Sequence, residues 1–270
     1  MRIFFLLLLL SLCLRAVDDN TSTPANDTNH ETTFITETHL LTHKKNFVLF
    51  MMYDFNPHEE YRDAKETMFQ ISLKRKLLNK VFGKDIQFYF GYTQKSFWQV
   101  YDGEHSRPFR ETNYNPELFF ARKMTEPYQE YGLHHIYAGY EHESNGQSTL
   151  TSRSWDRLYA QAFFKRGDWG GSLKMWHRFS EPKKKDPTDP YGDDNPDILD
   201  YYGHTEINLH YDYYDHRFGL FIRKQAAMVD ISIPFGEVYF YTRYFNGYGE
   251  SLIDYDIYVQ KIAFGIQLNR

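Results

Sequence analysis

From residue 46 onward, apolar and polar residues alternate with a period of two, in short segments separated by turn residues. The clearest are "IQFYFGYTQ", "HHIYAGYEH", "RLYAQAFFK", "SLKMWHRF", "EINLHYDYY", "FGLFIRK", "GEVYFYTRYF" and "YVQKIAFGIQL"; "NFVLFMMYDF", "FQISLKRKL", "ELFFARKM" and "AAMVDISIPF" bring the number to about 12. Side chains two apart on a strand share a face. In the segment from Ile86, one face carries Ile86, Phe88, Phe90, Tyr92 and Gln94, and the other Gln87, Tyr89, Gly91 and Thr93. In the last segment, Ile262, Phe264, Ile266 and Leu268 oppose Lys261, Ala263, Gly265 and Gln267. An even number of antiparallel segments, each about 10 residues long, suits a transmembrane barrel with one face to lipid and one to a polar interior. A soluble antiparallel sandwich alternates in the same way, so periodicity alone does not choose between them.

Aromatic content and the N-terminus favour the barrel. The 270 residues include 23 Tyr and 23 Phe, yet mean hydropathy is negative. Aromatic girdles at both bilayer interfaces account for such a load, whereas a soluble core rarely needs so many tyrosines. "MRIFFLLLLLSLCLRA" has a basic Arg2 and an apolar run from Ile3 to Leu14, too short for a membrane span, and reads as an export leader over residues 1–16. Cys13, the only cysteine, lies inside it, so the exported chain has neither disulfides nor a catalytic thiol. "LSLC" resembles a lipoprotein cleavage site only faintly, because Leu12 is large where a small residue is needed. Residues 17–45 are rich in Thr and Asn and read as a flexible tail. Residues 46–270 then form an all-β, 12-stranded antiparallel transmembrane β-barrel in a bacterial outer membrane. Net charge is −5, and the nearest basic run, "PKKK", borders "DPTDPYGDDNPD"; both read as solvated loop, with no nucleic-acid partner, and the acids of "GDDNPD" could bind calcium but lack EF-hand spacing.

The same parity locates candidate chemistry in a hairpin over residues 134–166. Along "HHIYAGYEHES", one face carries Ile136, Ala138, Tyr140, His142 and Ser144, and the other Tyr137, Gly139, Glu141 and Glu143. His142 and Ser144 thus lie on the lipid-facing side, about 6.5–7 Å apart at the backbone. Glu141 and Glu143 face the lumen as partners for Arg157 or Arg153. Asn145-Gly146 favours a turn. Closing the hairpin about residue 149 sets Ser144 opposite Ser154 and His142 opposite Asp156. Directly opposed side chains are about 4.5–5.5 Å apart at Cβ, so a Ser, a His and an Asp meet at the edge of the apolar surface. Nucleophilic acyl transfer uses such a set: His removes the Ser proton, and the carboxylate orients the His. Polar residues that merely line the membrane interface would look the same by parity. At this level a non-enzymatic barrel, a narrow pore or an adhesin, stays open.

Three stretches, "YEHESNGQS…TSRSWDRLY", "RPFRETNYNPELF" and "GYGESLIDY", resemble the bacterial outer membrane phospholipase A family, and the similarity spans most of residues 47–268. The resemblance implies a calcium-dependent A1/A2-type phospholipase, active as a homodimer, that hydrolyses acyl esters of phospholipids. It assigns His142 as general base, Ser144 as nucleophile and the Gly146 N–H as an oxyanion donor. It places Ca2+ on the Gln147 carbonyl, the Ser152 hydroxyl and, across the dimer, the Ser106 carbonyl, with water completing the shell. Gln94 is polar on an apolar face, where a lipid-exposed amide would be left unpaired unless it lies above the membrane, near the loop before Phe97 and Trp98; the resemblance implies that it hydrogen-bonds across the dimer. Two departures stand out. The best-known members have Asn where this chain has Asp156, which puts in question how the third triad member works. The chain ends "QLNR" rather than on an aromatic residue, which puts the insertion route in question.

Overall fold

The computed structural model describes residues 33–34, 39–57 and 63–270; the leader expected over residues 1–16 lies outside them. Twelve long strands run β1 Phe47–Asp54, β2 Lys65–Asn79, β3 Gln87–Trp98, β4 Phe109–Lys123, β5 Leu133–Ser144, β6 Ser154–Arg166, β7 Trp169–Arg178, β8 Thr205–Tyr213, β9 His216–Arg223, β10 Ala226–Phe235, β11 Val238–Tyr248 and β12 Tyr258–Gln267. Each pairs antiparallel with the next, and β12 pairs with β1 from Lys261↔Asp54 to Gln267↔Phe47, so the sheet closes into a barrel. Every segment expected from the alternation is a strand.

The two ends of the barrel differ. At one end most connections are tight, such as Gly167-Asp168, Tyr214-Asp215 and Gly236-Glu237. At the other end lie the long connections, residues 99–108, 145–153, 179–204 and 249–257 among them. In outer-membrane barrels the long loops face the cell exterior, so β5 leaves the membrane outward at Ser144. No helix among the described residues is long and apolar enough to cross a membrane; the strands do so.

The outward face is apolar: Ile71, Phe120, Ile136, Leu158, Leu173, Met175, Leu209, Val229, Ile233 and Phe264 are exposed. Charge is turned inward. Lys261, only 1% exposed, reaches Glu66 at 3.0 Å and Glu250 at 2.8 Å, and Arg110 pairs with Glu66 at 2.9 Å and Asp254 at 2.6 Å. Arg157 bridges Glu141 at 3.1 Å and Glu143 at 2.9 Å, and Lys174 meets Glu141 at 2.8 Å. A buried charge that loses its partner costs several kcal/mol, so these networks lock the lumen and fix which face each strand turns inward. They also fill it, which does not suit a water-filled pore.

The segment expected as a tail joins the fold before its end. Leu41–Thr42 pairs with Lys74 and Leu73 of β2, and Thr33–Phe34 with Asn79 and Leu78. His43 Nε2 then donates to Glu117 (2.8 Å) while stacked on Phe119, Lys44 reaches Glu117 at 3.0 Å, and Lys45 reaches Asp230 at 2.7 Å. Lys44 and Lys45 carry charge into the lumen from the tight-turn end.

Candidate active site

The β5–β6 hairpin has the register that closure about residue 149 requires: His142 pairs with Asp156 and Ser144 with Ser154. Glu141 and Asn145 on the inward face are buried, whereas His142 and Ser144 are half-buried. His142 Nδ1 lies 2.7 Å from Asp156 Oδ1, with about a third of each side chain exposed. That contact fixes the imidazole tautomer and leaves Nε2 as the basic nitrogen. Ser144 stands two residues further along the same face. No hydrogen bond joins it to His142; contacts of this kind are commonly long before substrate binds. Asn115 Nδ2 donates to the His142 carbonyl at 2.9 Å, tying β5 to β4 at the site.

Asn145 organises the loop that follows. Its Oδ1 accepts the N–H groups of Gln147 (3.2 Å) and Arg153 (3.0 Å), and its Nδ2 donates to the Thr151 carbonyl at 2.8 Å. Gly146 sits in this turn at φ +68°, where a β-carbon would also come within 3.2 Å of the Tyr114 ring. The left-handed backbone and the close ring together demand glycine.

The acid-rich loop contradicts the reading of it as solvated. Asp193 pairs with Arg178 at 2.5 Å, and Asn195, fully buried, accepts the Ser154 N–H at 3.0 Å. Asp194 accepts the Ser152 hydroxyl at 2.7 Å and the Ser154 hydroxyl at 3.3 Å, and Lys184 of the "PKKK" run meets its other oxygen at 2.6 Å. The loop continues into a short helix, α1, Ile198–Tyr202, whose buried Ile198 and Tyr202 pack on inward-facing Trp155 and Trp176. The loop is therefore folded back on the hairpin rather than free, because its acids find cations and hydroxyls there. The acid cluster itself was the available signal for Asp194; its partner lies 42 residues earlier in sequence.

Ser106, exposed, lies in the loop between β3 and β4 at φ 63°, followed by Arg107 at φ 54°. Asp102 shapes this turn by accepting the His105 N–H at 3.0 Å and its ring nitrogen at 2.9 Å. These bonds, the backbone one first, hold the Asp102 carboxyl below the usual carboxylate range. Within one chain the structure does not bring Ser106 into hydrogen-bond contact with Gln147 or Ser152. Gln94 faces outward, and its amide is used within the chain: Tyr92 donates to Oε1 at 3.0 Å, and Nε2 donates to Ser96 at 3.2 Å. The expected unpaired amide is thus paired once on each side, and an amide has capacity for more.

The donor set fits calcium. The Ser152 hydroxyl and the Asp194 carboxylate, 2.7 Å apart, and the Gln147 carbonyl are oxygen donors, as a hard cation prefers. No group of three or more His, Cys, Asp or Glu side chains suited to a metal occurs among the described residues.

Known proteins resemble this chain along most of its length. The family model "Phospholipase A1" matches residues 23–268. Phospholipase A1 of Escherichia coli K12 is 35% identical over 211 residues, covering 76% of this chain and 70% of that protein. The Salmonella typhi outer membrane phospholipase, solved as a dimer with bound calcium, superposes with a TM-score of 0.76 at 32% identity, covering 86% of this chain and 92% of that one. The Escherichia coli outer membrane phospholipase A gives a TM-score of 0.77 at 31% identity, covering 85% and 91%. With its closed 12-stranded barrel, this chain belongs to the phospholipase A1 family of the bacterial outer membrane.

Proposed function

We propose that the chain is a calcium-dependent phospholipase whose Ser144, His142 and Asp156 act on a phospholipid lying beside the barrel. The observation that carries this reading is the 2.7 Å contact between His142 and Asp156 on the outward, lipid-facing side of the hairpin. A membrane-facing Ser-His-Asp set meets an ester without drawing the lipid out of the bilayer. Ser144 Oγ attacks the ester carbonyl as His142 Nε2 takes its proton. Asp156 holds the imidazole in the required tautomer and stabilises the imidazolium. His142 then returns the proton to the leaving alcohol, and water, deprotonated by the same nitrogen, releases the fatty acid and restores Ser144. The Gly146 N–H, two residues beyond the nucleophile, serves the oxyanion.

The residues that would hold calcium are Gln147 through its carbonyl, Ser152 through its hydroxyl and Ser106 through its carbonyl on a second copy of the chain. When bound, the ion supplies positive charge that stabilises the developing oxyanion. Asp194, hydrogen-bonded to Ser152 and paired with Lys184, adds a carboxylate beside that hydroxyl. A ligand set divided between two copies makes dimerisation the activating step, with Gln94 of each copy donating or accepting across the interface. The S. typhi relative, a dimer with bound calcium, supports this arrangement.

A serine-reactive fluorophosphonate tests the nucleophile. The reading expects modification of Ser144 alone, lost in His142→Ala. Equal labelling of Ser144→Ala protein contradicts it.

A further inference from the structure

The oxygen of Asp156 that faces His142 has a second donor. Tyr140 Oη donates to Asp156 Oδ1 at 2.6 Å, beside the 2.7 Å contact from His142 Nδ1. We propose that Tyr140 is a positioning residue of this site, its phenol fixing the Asp156 carboxylate and sharing its charge so that one oxygen stays aimed at His142. The inference rests on the triad reading above.

The placement follows from the sheet. Tyr140 and His142 are two apart on β5 and share its outward face; Asp156 lies directly opposite His142 on β6, and Leu158 opposite Tyr140. The phenol therefore crosses diagonally to Asp156, a span that an aromatic side chain covers. Phe179 fixes both partners. Its ring lies 6.2 Å from that of Tyr140, and its N–H donates to the Asp156 carbonyl at 2.9 Å. The backbone and the carboxylate of Asp156 are thus anchored by neighbours on opposite sides.

The chemistry needs such a donor. Asp156 stands where the apolar face meets water, and a carboxylate next to lipid loses hydration. A phenol O–H at 2.6 Å is in the range of charge-assisted bonds and replaces a lost water with a fixed group. Because both donors share one oxygen, the phenol draws charge away from His142. Without it, the carboxylate is free to turn away from His142 Nδ1. Among the described residues, titratable groups on this face include His177 on β7, opposite Leu158, Glu181 in the loop after it and Tyr114 on β4, opposite Ser144; Glu141 and Glu143 face the lumen.

Tyr140→Phe removes the hydroxyl and keeps the ring against Phe179. The expected result is a loss in kcat of about tenfold, the scale of one hydrogen bond to a charged group, with KM unchanged. In an Asp156→Ala background, Tyr140→Phe should cost nothing further. Wild-type kcat in Tyr140→Phe would overturn the proposal, as would an equal loss in both backgrounds, since the effect would then not pass through Asp156. Should Phe perturb folding, the same cycle with Tyr140→Met reads the same coupling. Full activity in Ser144→Ala, measured alongside, would instead remove the triad reading itself.

Discussion

Replacing Asp156 separates charge from geometry at the third triad position. The His142 contact is 2.7 Å long but about a third exposed on each side. A hydrogen bond to a charged group is worth about 1.5–3 kcal/mol, and exposure places this one toward the lower half of that range. Asp156→Ala, which removes the acceptor, should therefore cost about 2 kcal/mol, or roughly 30-fold in kcat. Asp156→Asn keeps a carbonyl oxygen at the same place and loses only the charge. A neutral bond retains about 1 kcal/mol, so the loss falls to roughly fivefold. The assay is initial-rate release of fatty acid from mixed micelles at saturating calcium, on protein shown to be folded and dimeric. Equal losses in the two variants would refute the idea that an amide can stand in for this carboxylate.

Other parts of the account are open to direct tests. Gln94→Ala should weaken calcium-driven dimerisation in sedimentation; an unchanged monomer–dimer equilibrium removes Gln94 from the interface. Asp194→Asn should raise the calcium concentration needed for half-maximal activity severalfold while leaving kcat at saturating calcium, read from a calcium titration. Glu141→Ala strands the charge of Lys174 and leaves Arg157 with Glu143 alone, and should cost about 3 kcal/mol, measured as a lower urea midpoint in detergent; a midpoint within error of wild type would mean that the lumenal network does not stabilise the barrel.

The barrel was legible because a period of two survives along each strand, and a one-residue slip would put Lys261 or Glu141 into lipid. The hairpin register was legible for a related reason: a single turn joins β5 and β6, so counting outward from residue 149 finds His142 opposite Asp156. The resemblance assigned roles that parity could not. What escaped were contacts with no period and no nearby partner. Asp194 reaches Ser152 from another loop, and Lys44 and Glu117 meet 73 positions apart in the numbering, so neither pairing leaves a local pattern. Gln94 was read as an amide in need of a partner because strand parity shows which face a side chain takes, not that Tyr92 and Ser96 on that face lie within its reach. Parity likewise placed Tyr140 on the face of His142 without showing that its phenol reaches Asp156.

The central claim is a calcium-dependent serine esterase on the lipid-facing surface. The measurement that tests it most directly is release of fatty acid from phospholipid in mixed micelles by the refolded chain, with calcium and with chelator, beside Ser144→Ala. The account predicts release that requires both calcium and Ser144. Undiminished release by Ser144→Ala, or by wild type in chelator, would contradict it, the first for the nucleophile and the second for the metal.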